Sequence, residues 1–473
     1  MATLYYARSP EGLPRPVEKV NLLADMTGTL CRTWKVALFF AAITASSVFA
    51  KQDLESDLLA EINKIKAIDH HAHPLAFTAP GDPPDTDFDA LDGEGLEMTA
   101  PPPLRMRPDN PEYIGAWRIL FGYKWSDMSE EHVRALSKEK QRVMAQHGES
   151  YPAWVLDQLG IETTFANRVS LGRGLAAPRF RWVAFDDALI FPLNNDGAGR
   201  VNPDYRSFYN DETKLLKRYL SDLHLPGLPP TLTEYVARVV IPTLERQKAN
   251  GAVAIKFEAA YLRSLEFADP AETDAAQIYE RYVKGEEPAP QDYKVLQDFL
   301  FRRIAREAGR LKLPVHIHST GGVGSYYYLR TSNPLLLDSV FNDPKLRATN
   351  FVLIHGGWPF VKEVGQLFSK PNVYADFSVQ DMLFYPRALS ETLRVWLELY
   401  PEKVFFGTDA MSFTPEVNWE ETAWLSTTTA RQALAIALAG MVNDHEIDRA
   451  RALVLAEMVM RGNALKLYQP SNQ

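Results

Sequence analysis

AIDHHAHPL, residues 67–75, is a short apolar segment that carries three histidines within four positions. The chain has only 10 histidines in 473 residues, so this concentration needs a chemical explanation. Alternate side chains of a β-strand share a face, so we expect His71 and His73 to point the same way and His70 the opposite way. Two imidazoles on one face at the end of a strand form a natural pair of metal ligands.

Seven further short apolar runs follow this one, and charged helical segments separate them. Strands that alternate with helices indicate parallel βαβ units. Together with residues 67–75 they give eight strands, the number that closes a (β/α)8 TIM barrel, and a doubly wound α/β sheet is the alternative. The seven runs are TTFANRV (163–169), WVAFDDALIF (182–191), AVAIKF (252–257), LPVHIHS (313–319), NFVLIH (350–355), NVYADFS (372–378) and KVFFGTD (403–409).

Four of these predicted strands end in a potential ligand: His73, His318, His355 or Asp409. Taken singly, a histidine at a strand end is more often structural than a ligand, and an aspartate after Gly-Thr often caps a helix. In a barrel, however, the carboxyl ends of all strands surround one mouth, where catalytic residues lie. The coincidence of position therefore favours the barrel and a metal site. His316, one alternation before His318, is predicted to be a hydrogen-bonded core histidine.

A long insertion, at about residues 76–150, follows the first strand. Residues 76–112 are rich in Pro, Asp and Gly without periodicity, whereas residues 113–158 have a helical pattern. The sequence therefore predicts a TIM barrel with a helical insertion after its first strand. The insertion is either a cap over the active site or a surface excursion.

The N-terminus has the pattern of a signal peptide. A basic stretch, residues 32–35, precedes the apolar run VALFFAAITASSVFA (36–50), which ends in small residues. We therefore expect residues 1–50 to be a leader and residues 51–473 to be one metal-dependent hydrolase domain, exported to the periplasm or secreted. A cytoplasmic location is the alternative. No later run of 18 apolar residues follows, so no membrane association is expected after the leader is cleaved.

The amino-acid composition excludes some kinds of ligand and partner. The only cysteine, Cys31, lies in the predicted leader, so the mature chain would hold neither disulfides nor thiolate ligands. Lys and Arg number 51 against 60 Asp and Glu, which gives a net charge of -9 without long runs of one sign. This distribution excludes a nucleic-acid footprint and favours a small-molecule substrate.

The order of these motifs resembles the amidohydrolase superfamily of metal-dependent barrels. H-x-H is followed by Lys256 in AIKFEAAY, His318 in VHIHS, His355 in LIHGG and Asp409 in FGTDA. Three segments are similar to the amidohydrolase-related (amidohydrolase 2) branch, which includes the barrel half of glutamine-synthetase fusion proteins of plants and fungi. They are HSTGGVGSYYYLRTSNPLLLDSV (318–340), FVLIHGGWPFVKEVGQL (351–367) and MRGNALKLY (460–468).

The resemblance implies a divalent metal ion, zinc in the first place and manganese as the alternative, held or surrounded by His71, His73, His318 and Asp409. His355 would be a second ligand or a catalytic imidazole. Lys256 stands where binuclear members carry a carboxylated lysine that bridges two metals. It could also remain an ammonium that orients substrate or pairs with a carboxylate such as Glu258. The sequence therefore allows a centre with either one or two metal ions. The family also makes a homodimer an expectation.

The chemistry that follows is hydrolysis of a C–N bond of amide type by a metal-activated water, with Asp409 as the proton acceptor and His355 beside it. Decarboxylation of a small carboxylic acid is the alternative reaction, and isomerisation of a uronic acid is a third. The non-enzymatic alternative is a barrel that binds a metal or a ligand without turnover. Candidate substrate-binding residues are Arg330, Arg263, Tyr261 and Trp358. An arginine here could equally be a solvated surface charge, and an aromatic ring could simply pack the loops.

Overall fold

The computed structural model describes residues 53–79, 81–91, 96 and 99–468. All the strands that the structure describes lie in the unit formed by residues 55–473. Eight parallel strands pair in chain order within one sheet. They are β1 (Ala67–Ala72), β2 (Ile161–Asn167), β3 (Phe180–Phe185), β4 (Ala254–Phe257), β5 (Val315–His318), β6 (Phe351–Ile354), β7 (Val373–Asp376) and β8 (Val404–Phe405).

The sheet curls back so that its last strand meets its first. The segment after β8 forms a parallel bridge to β1 between Ala410 and Ala72. The backbone N–H of His70 donates to the carbonyl of Phe406 at 2.9 Å, and that of His73 donates to Ala410 at 2.8 Å. An open doubly wound sheet would leave these groups unpaired, so the predicted (β/α)8 barrel is confirmed.

Helices fill the connections between the strands, except that residues 168–179, between β2 and β3, form turns only. Helix Pro290–Leu311 is representative, because it begins with a proline, whose fixed φ suits the first helical position, and buries Leu296, Leu300 and Ile304 at four-residue spacing. The described chain begins in a helix that ends at residue 62. The other α-helices are Tyr113–Phe121, Glu130–His147, Tyr151–Leu159, Asp196–Val201, Arg206–Asp222, Leu232–Tyr235, Ile241–Ala249, Glu272–Tyr282, Asp338–Phe341, Val361–Leu367, Gln380–Leu383, Pro386–Leu399, Trp419–Asn443, Arg449–Glu457 and Asn463–Leu467, with π-helical turns at Val236–Val240 and Met458–Gly462.

The insertion between β1 and β2 has a core of its own. Its helices bury Trp117, Leu136 and Val155 in one cluster with Trp419, which begins the long helix Trp419–Asn443. A buried ion pair joins the same two layers, with Lys140 Nζ 2.8 Å from Glu421 Oε1. The helical part of the insertion is therefore packed against the barrel's last long helix, as a helical insertion after the first strand predicts.

The predicted leader, residues 1–50, lies outside the described residues, so export remains a prediction. Among the helices that the structure does describe, none combines the length and the apolar character that crossing a membrane requires.

Candidate metal centre

Three predicted ligands from the two ends of the chain meet at the mouth of the barrel. His71 and His73 on β1 and Asp409 after β8 each offer a ligand atom, and these atoms all lie within 4.8 Å of one another. His71 Nε2 is 3.0 Å from Asp409 Oδ1, and His73 Nε2 is 3.6 Å from the same oxygen. All three side chains are buried.

Several atoms around this cluster are buried without a hydrogen-bond partner among the described residues. They are both ring nitrogens of His71, Nδ1 of His73, Nε2 of His318, Nζ of Lys256 and Oε2 of Glu258. Buried polar atoms are almost always paired, so these atoms need an explanation. His71 and Asp409 are close but lack hydrogen-bond geometry, which is what two ligands of one cation would show.

The protonation states fit a divalent cation as well. Burial lowers the pKa of His71 and of His318 well below the usual value for histidine, so both imidazoles are neutral. Neutral imidazole nitrogens and carboxylate oxygens are ligands that zinc and manganese accept. The donor set therefore fits the metal that the sequence predicts.

A bulge in β1 explains how three neighbouring histidines all enter the barrel. The pairing of β1 with β2 shifts register between Asp69 and Ala72. The ring of His70 lies against Phe165 of β2, His316 of β5 and Phe405 of β8, so it faces the barrel interior rather than the outside. The expectation that His70 points away from the His71 side is wrong, because an extra residue in a strand breaks the alternation of side chains.

The insertion contributes a residue that sequence analysis missed. Asp89 Oδ2 lies 2.9 Å from His73 Nδ1, the ring nitrogen that faces away from Asp409. The segment that carries Asp89 is held in place by the ion pair of Asp85 with Arg168, at 2.8 Å. Residues 76–112 have no periodicity from which this contact could be predicted, and only their richness in aspartate is a signal.

Lys256, on β4, is completely buried and lies in acidic surroundings. Its Nζ is 3.4 Å from Glu258 Oε1, without hydrogen-bond geometry. Burial raises the pKa of Glu258 to about 8. The backbone N–H of Glu258 donates to Asp187 Oδ2 at 2.7 Å, so a second carboxyl lies behind the first.

A chain of hydrogen bonds runs from His318 into the barrel wall. Nδ1 of His318 lies 3.2 Å from Nε2 of His355, whose Nδ1 lies 2.9 Å from the hydroxyl of Ser378. That hydroxyl donates to Asp376 Oδ1 at 2.7 Å, and the other oxygen of Asp376 is 3.1 Å from His70 Nδ1. Sequence analysis placed Asp376 and Ser378 in a strand but gave them no role.

Deeper in the barrel, His316 is the hydrogen-bonded core histidine that the sequence predicts. Its Nε2 lies 2.6 Å from the hydroxyl of Tyr468, near the chain end, and the same hydroxyl lies 2.6 Å from His70 Nε2. Tyr468 therefore links β1 and β5 beneath the metal cluster.

The backbone is strained at two of the predicted site residues. His355 has a φ of 64° and Asp409 a φ of 52°, in the left-handed region that residues other than glycine rarely adopt. Each costs about 1–3 kcal/mol and persists only where surrounding contacts hold it. The N–H of His355 donates to Asp376 Oδ1 at 2.9 Å, and the N–H of Asp409 donates to the carbonyl of His71 at 2.7 Å.

The four candidate substrate-binding residues lie in different surroundings. Tyr261 is beside the cluster, with its ring centroid 4.5 Å from that of His318. The guanidinium of Arg263 is paired with Asp298 at 2.5 Å, and the ring of Trp358 packs against Phe384. Arg330 is exposed on the loop after β5. Tyr261 and Arg263 also line a cavity of about 290 Å³.

Comparisons with known proteins agree with this architecture. A family model described as "Amidohydrolase" matches residues 227–469. A Lactobacillus casei protein that carries the general name metal-dependent hydrolase superposes with a TM-score of 0.55 at 16% identity, over 86% of this chain and 96% of its own. Glucuronate isomerase from Caulobacter crescentus superposes with a TM-score of 0.57 at 15% identity, over 90% of this chain and 95% of its own. Uronate isomerase from Thermotoga maritima superposes with a TM-score of 0.55 at 13% identity, over 88% of this chain and 97% of its own. No curated protein matches the sequence.

Proposed function

Because this chain belongs to the amidohydrolase family, we propose that it is a metal-dependent hydrolase that cleaves a C–N bond of amide type in a small molecule. The observation that carries the proposal is the meeting of His71, His73 and Asp409 at the barrel mouth, with their ligand atoms within 4.8 Å of one another. His318, whose Nε2 is buried without a partner among the described residues, completes the proposed ligand set.

Zinc is the proposed metal and manganese the alternative, since imidazole and carboxylate ligands suit both. When bound, such an ion supplies a water acidified toward neutral pH and a polarised substrate carbonyl. The chain's own contribution is to hold neutral imidazoles and one carboxylate at the strand ends, in a place closed to bulk solvent.

Asp409 is the proposed proton carrier. Burial raises the pKa of its carboxyl well above the ordinary value, and the charge of Lys256 opposes that shift. The attacking water gives a proton to Asp409 as its oxygen bonds to the carbonyl carbon. Asp409 then gives the proton to the leaving nitrogen as the C–N bond breaks. His355, whose pKa burial lowers to about 3, is neutral and serves as a second ligand or as a hydrogen-bonding imidazole.

We propose that Lys256 remains an ammonium and that the centre holds one metal ion. Its Nζ lies 3.4 Å from Glu258 Oε1, and the carboxyl of Asp187 accepts a hydrogen bond from the Glu258 backbone. A carboxylated lysine would place a negative charge beside the buried Glu258 carboxyl and raise its pKa further, whereas an ammonium at Lys256 lowers it.

Charge also favours a neutral amide over a carboxylic acid as substrate. The guanidinium of Arg263 is paired with Asp298, so its charge is already balanced. Decarboxylation is the second candidate, and Arg330, exposed on the loop after β5, would bind the substrate carboxylate in that case. Uronic acids are a third substrate class to test, since structures with this fold include uronate isomerases.

The test measures metal content per chain by mass spectrometry, for the wild type, Lys256→Ala and the control His224→Asn, which replaces an exposed histidine. One equivalent in all three is expected. Two equivalents that fall in Lys256→Ala would show a bridging lysine. No metal in any of them, even after incubation with zinc or manganese, would overturn the proposal.

The loaded wild type is then offered N-acyl amino acids, cyclic amides, small aromatic acids and uronic acids. We expect an amine or a carboxylate to be released from the amide substrates. Release of carbon dioxide, lost in Arg330→Ala, would select decarboxylation instead. Interconversion of aldose and ketose would select isomerisation.

A further inference from the structure

The hydrogen bonds around Asp376 are numerous enough to determine where protons lie at the metal centre. Asp376, Ser378, His355 and His318 are all buried, the most exposed of them to 3%, so solvent does not compete for their hydrogen bonds. Asp376 Oδ1 accepts from the Ser378 hydroxyl at 2.7 Å and from the backbone N–H of His355 at 2.9 Å. Its Oδ2 lies 3.1 Å from His70 Nδ1.

Oδ1 of Asp376 accepts from two backbone N–H groups, those of His355 and Ser378, so this oxygen carries no hydrogen of its own. A hydroxyl has one hydrogen to donate, and that of Ser378 is directed to Asp376.

The oxygen of Ser378 can therefore only accept from the ring of His355. Its distance of 2.9 Å from His355 Nδ1 requires that Nδ1 carries a hydrogen. The His355 ring is buried against the rings of His71 and His318. A charged ring among these imidazoles would be costly, so His355 carries one ring hydrogen and its Nε2 is bare. With a bare Nε2, the contact of 3.2 Å to His318 is a hydrogen bond only when His318 Nδ1 donates.

We propose that Asp376 and Ser378 are positioning residues that fix the Nδ1–H tautomer of His355 and, through it, that of His318. His318 Nε2 is then a bare lone pair, and this is the atom that is buried without a partner among the described residues. The use of that lone pair by a metal rests on the proposed function, whereas the two tautomers do not.

The opposite tautomer would leave two acceptors facing each other. A hydrogen on His355 Nε2 would leave its Nδ1 bare against the oxygen of Ser378, whose only hydrogen is committed to Asp376. Removing the Ser378 hydroxyl releases this constraint, so Ser378→Ala should let both imidazoles change tautomer together.

The first experiment records two-bond proton–nitrogen spectra of the metal-free protein, labelled with ¹⁵N-histidine. The signals of His355 and His318 are assigned by their loss in His355→Gln and His318→Gln. We expect both rings to carry hydrogen on Nδ1 in the wild type and on Nε2 in Ser378→Ala. Hydrogen on Nε2 of either ring in the wild type would overturn the proposal, and this measurement needs no folded variant beyond those used for assignment.

Tyr468→Phe is the matched control. It removes another buried hydroxyl, which lies 2.6 Å from Nε2 of His70, whereas Asp376 lies 3.1 Å from Nδ1 of the same ring. The tautomers of His355 and His318 should be unchanged in it. A change as large as that in Ser378→Ala would mean that any buried defect disturbs the rings, and the specific role of Ser378 would be excluded.

The second experiment is a zinc titration against a chelator that competes for the ion. Loss of a group that orients a ligand typically weakens metal binding by about 10–100-fold, so this is the expected rise of Kd in Ser378→Ala. Tyr468→Phe should stay within about threefold of the wild type. If the wild type binds no zinc while its spectra show the expected tautomers, the proposed function fails and the tautomer assignment stands. Unchanged affinity in Ser378→Ala would overturn the link between the hydroxyl and the metal.

Discussion

At the scale of single residues, Asp409 carries most of the proposed chemistry. Asp409→Asn keeps the size of the side chain and one ligand oxygen but removes the basic oxygen. Because general base catalysis typically contributes about 10²–10⁴-fold, kcat should fall by that factor while some metal remains bound. Steady-state kinetics with metal analysis of the same sample checks this. A loss of less than tenfold with full metal content would show that Asp409 carries no proton.

Asp89 tests whether the insertion belongs to the active site. Its carboxylate lies 2.9 Å from His73 Nδ1, as a group that orients a metal-binding imidazole would. Asp89→Asn should therefore raise the Kd for zinc by about 10–100-fold.

The matched control for that prediction is Asp87→Asn in the same segment, whose carboxylate pairs with Arg218 at 2.8 Å. Zinc affinity should be near that of the wild type in this control. Equal weakening in both variants would indicate that the segment as a whole was disturbed, and would remove the specific role of Asp89.

The sequence identifies site residues only where the fold class itself determines where a residue lies. His71, His73 and Asp409 were predicted to meet because carboxyl ends of parallel strands share one mouth of a barrel, and they do lie together. Asp89 follows no such rule, since it lies in an irregular segment. The bulge in β1 depends on pairing with β2, which a single strand's sequence does not encode.

At the scale of elements, the buried pair of Lys140 and Glu421 holds the insertion against helix Trp419–Asn443. Lys140→Met would leave the Glu421 carboxylate buried without its counter-ion. Such a loss typically costs about 3–5 kcal/mol, so the free energy of unfolding should fall by that amount in urea titrations.

Adding Glu421→Gln to Lys140→Met should recover part of this loss, because no buried charge then remains. The exposed pair of Arg134 and Glu130 on the same insertion helix provides the comparison. Arg134→Met should change the free energy of unfolding by less than about 1 kcal/mol. Similar losses in the Lys140 and Arg134 variants would contradict the role given to burial.

Element boundaries were predicted less well than element order. The run WVAFDDALIF was expected to be one strand, yet β3 ends at Phe185 and a 3-10 turn, Asp187–Ile190, follows. Both parts are buried and apolar, and periodicity cannot distinguish a buried strand from a buried turn. In KVFFGTD, likewise, only Val404–Phe405 form a strand, although Phe406 and Asp409 also hydrogen-bond to β1.

At the scale of the whole molecule, buried carboxyls make stability depend on pH. Burial raises the pKa of Asp186 to about 7, against a hydrogen bond from Gln247 that lowers it. A raised pKa in the folded state means that the contribution to stability is complete below about pH 4 and is lost as the pH rises through 7. A shift of about three units corresponds to roughly 4 kcal/mol.

The metal-free protein should therefore lose free energy of unfolding between about pH 4 and 7, and Asp186→Asn should reduce that loss. Urea titrations at several pH values measure both slopes. The control is Glu131→Gln, at an exposed position of the insertion, which should keep the wild-type slope. A slope that is the same in all three proteins would show that Asp186 does not ionise over this range.

The join between Ala72 and Ala410 also determines when the centre can exist. His71 and His73 are synthesised long before Asp409 and the segment that pairs with β1. Until that segment is made, a nascent polypeptide carries an unpaired β1 edge and an incomplete ligand set. The contacts that complete the site join residues far apart in sequence, and long-range contacts of this kind form slowly. Capture of a cation is therefore tied to synthesis of the segment that contains Asp409, and a product that stops before it would lack part of the site.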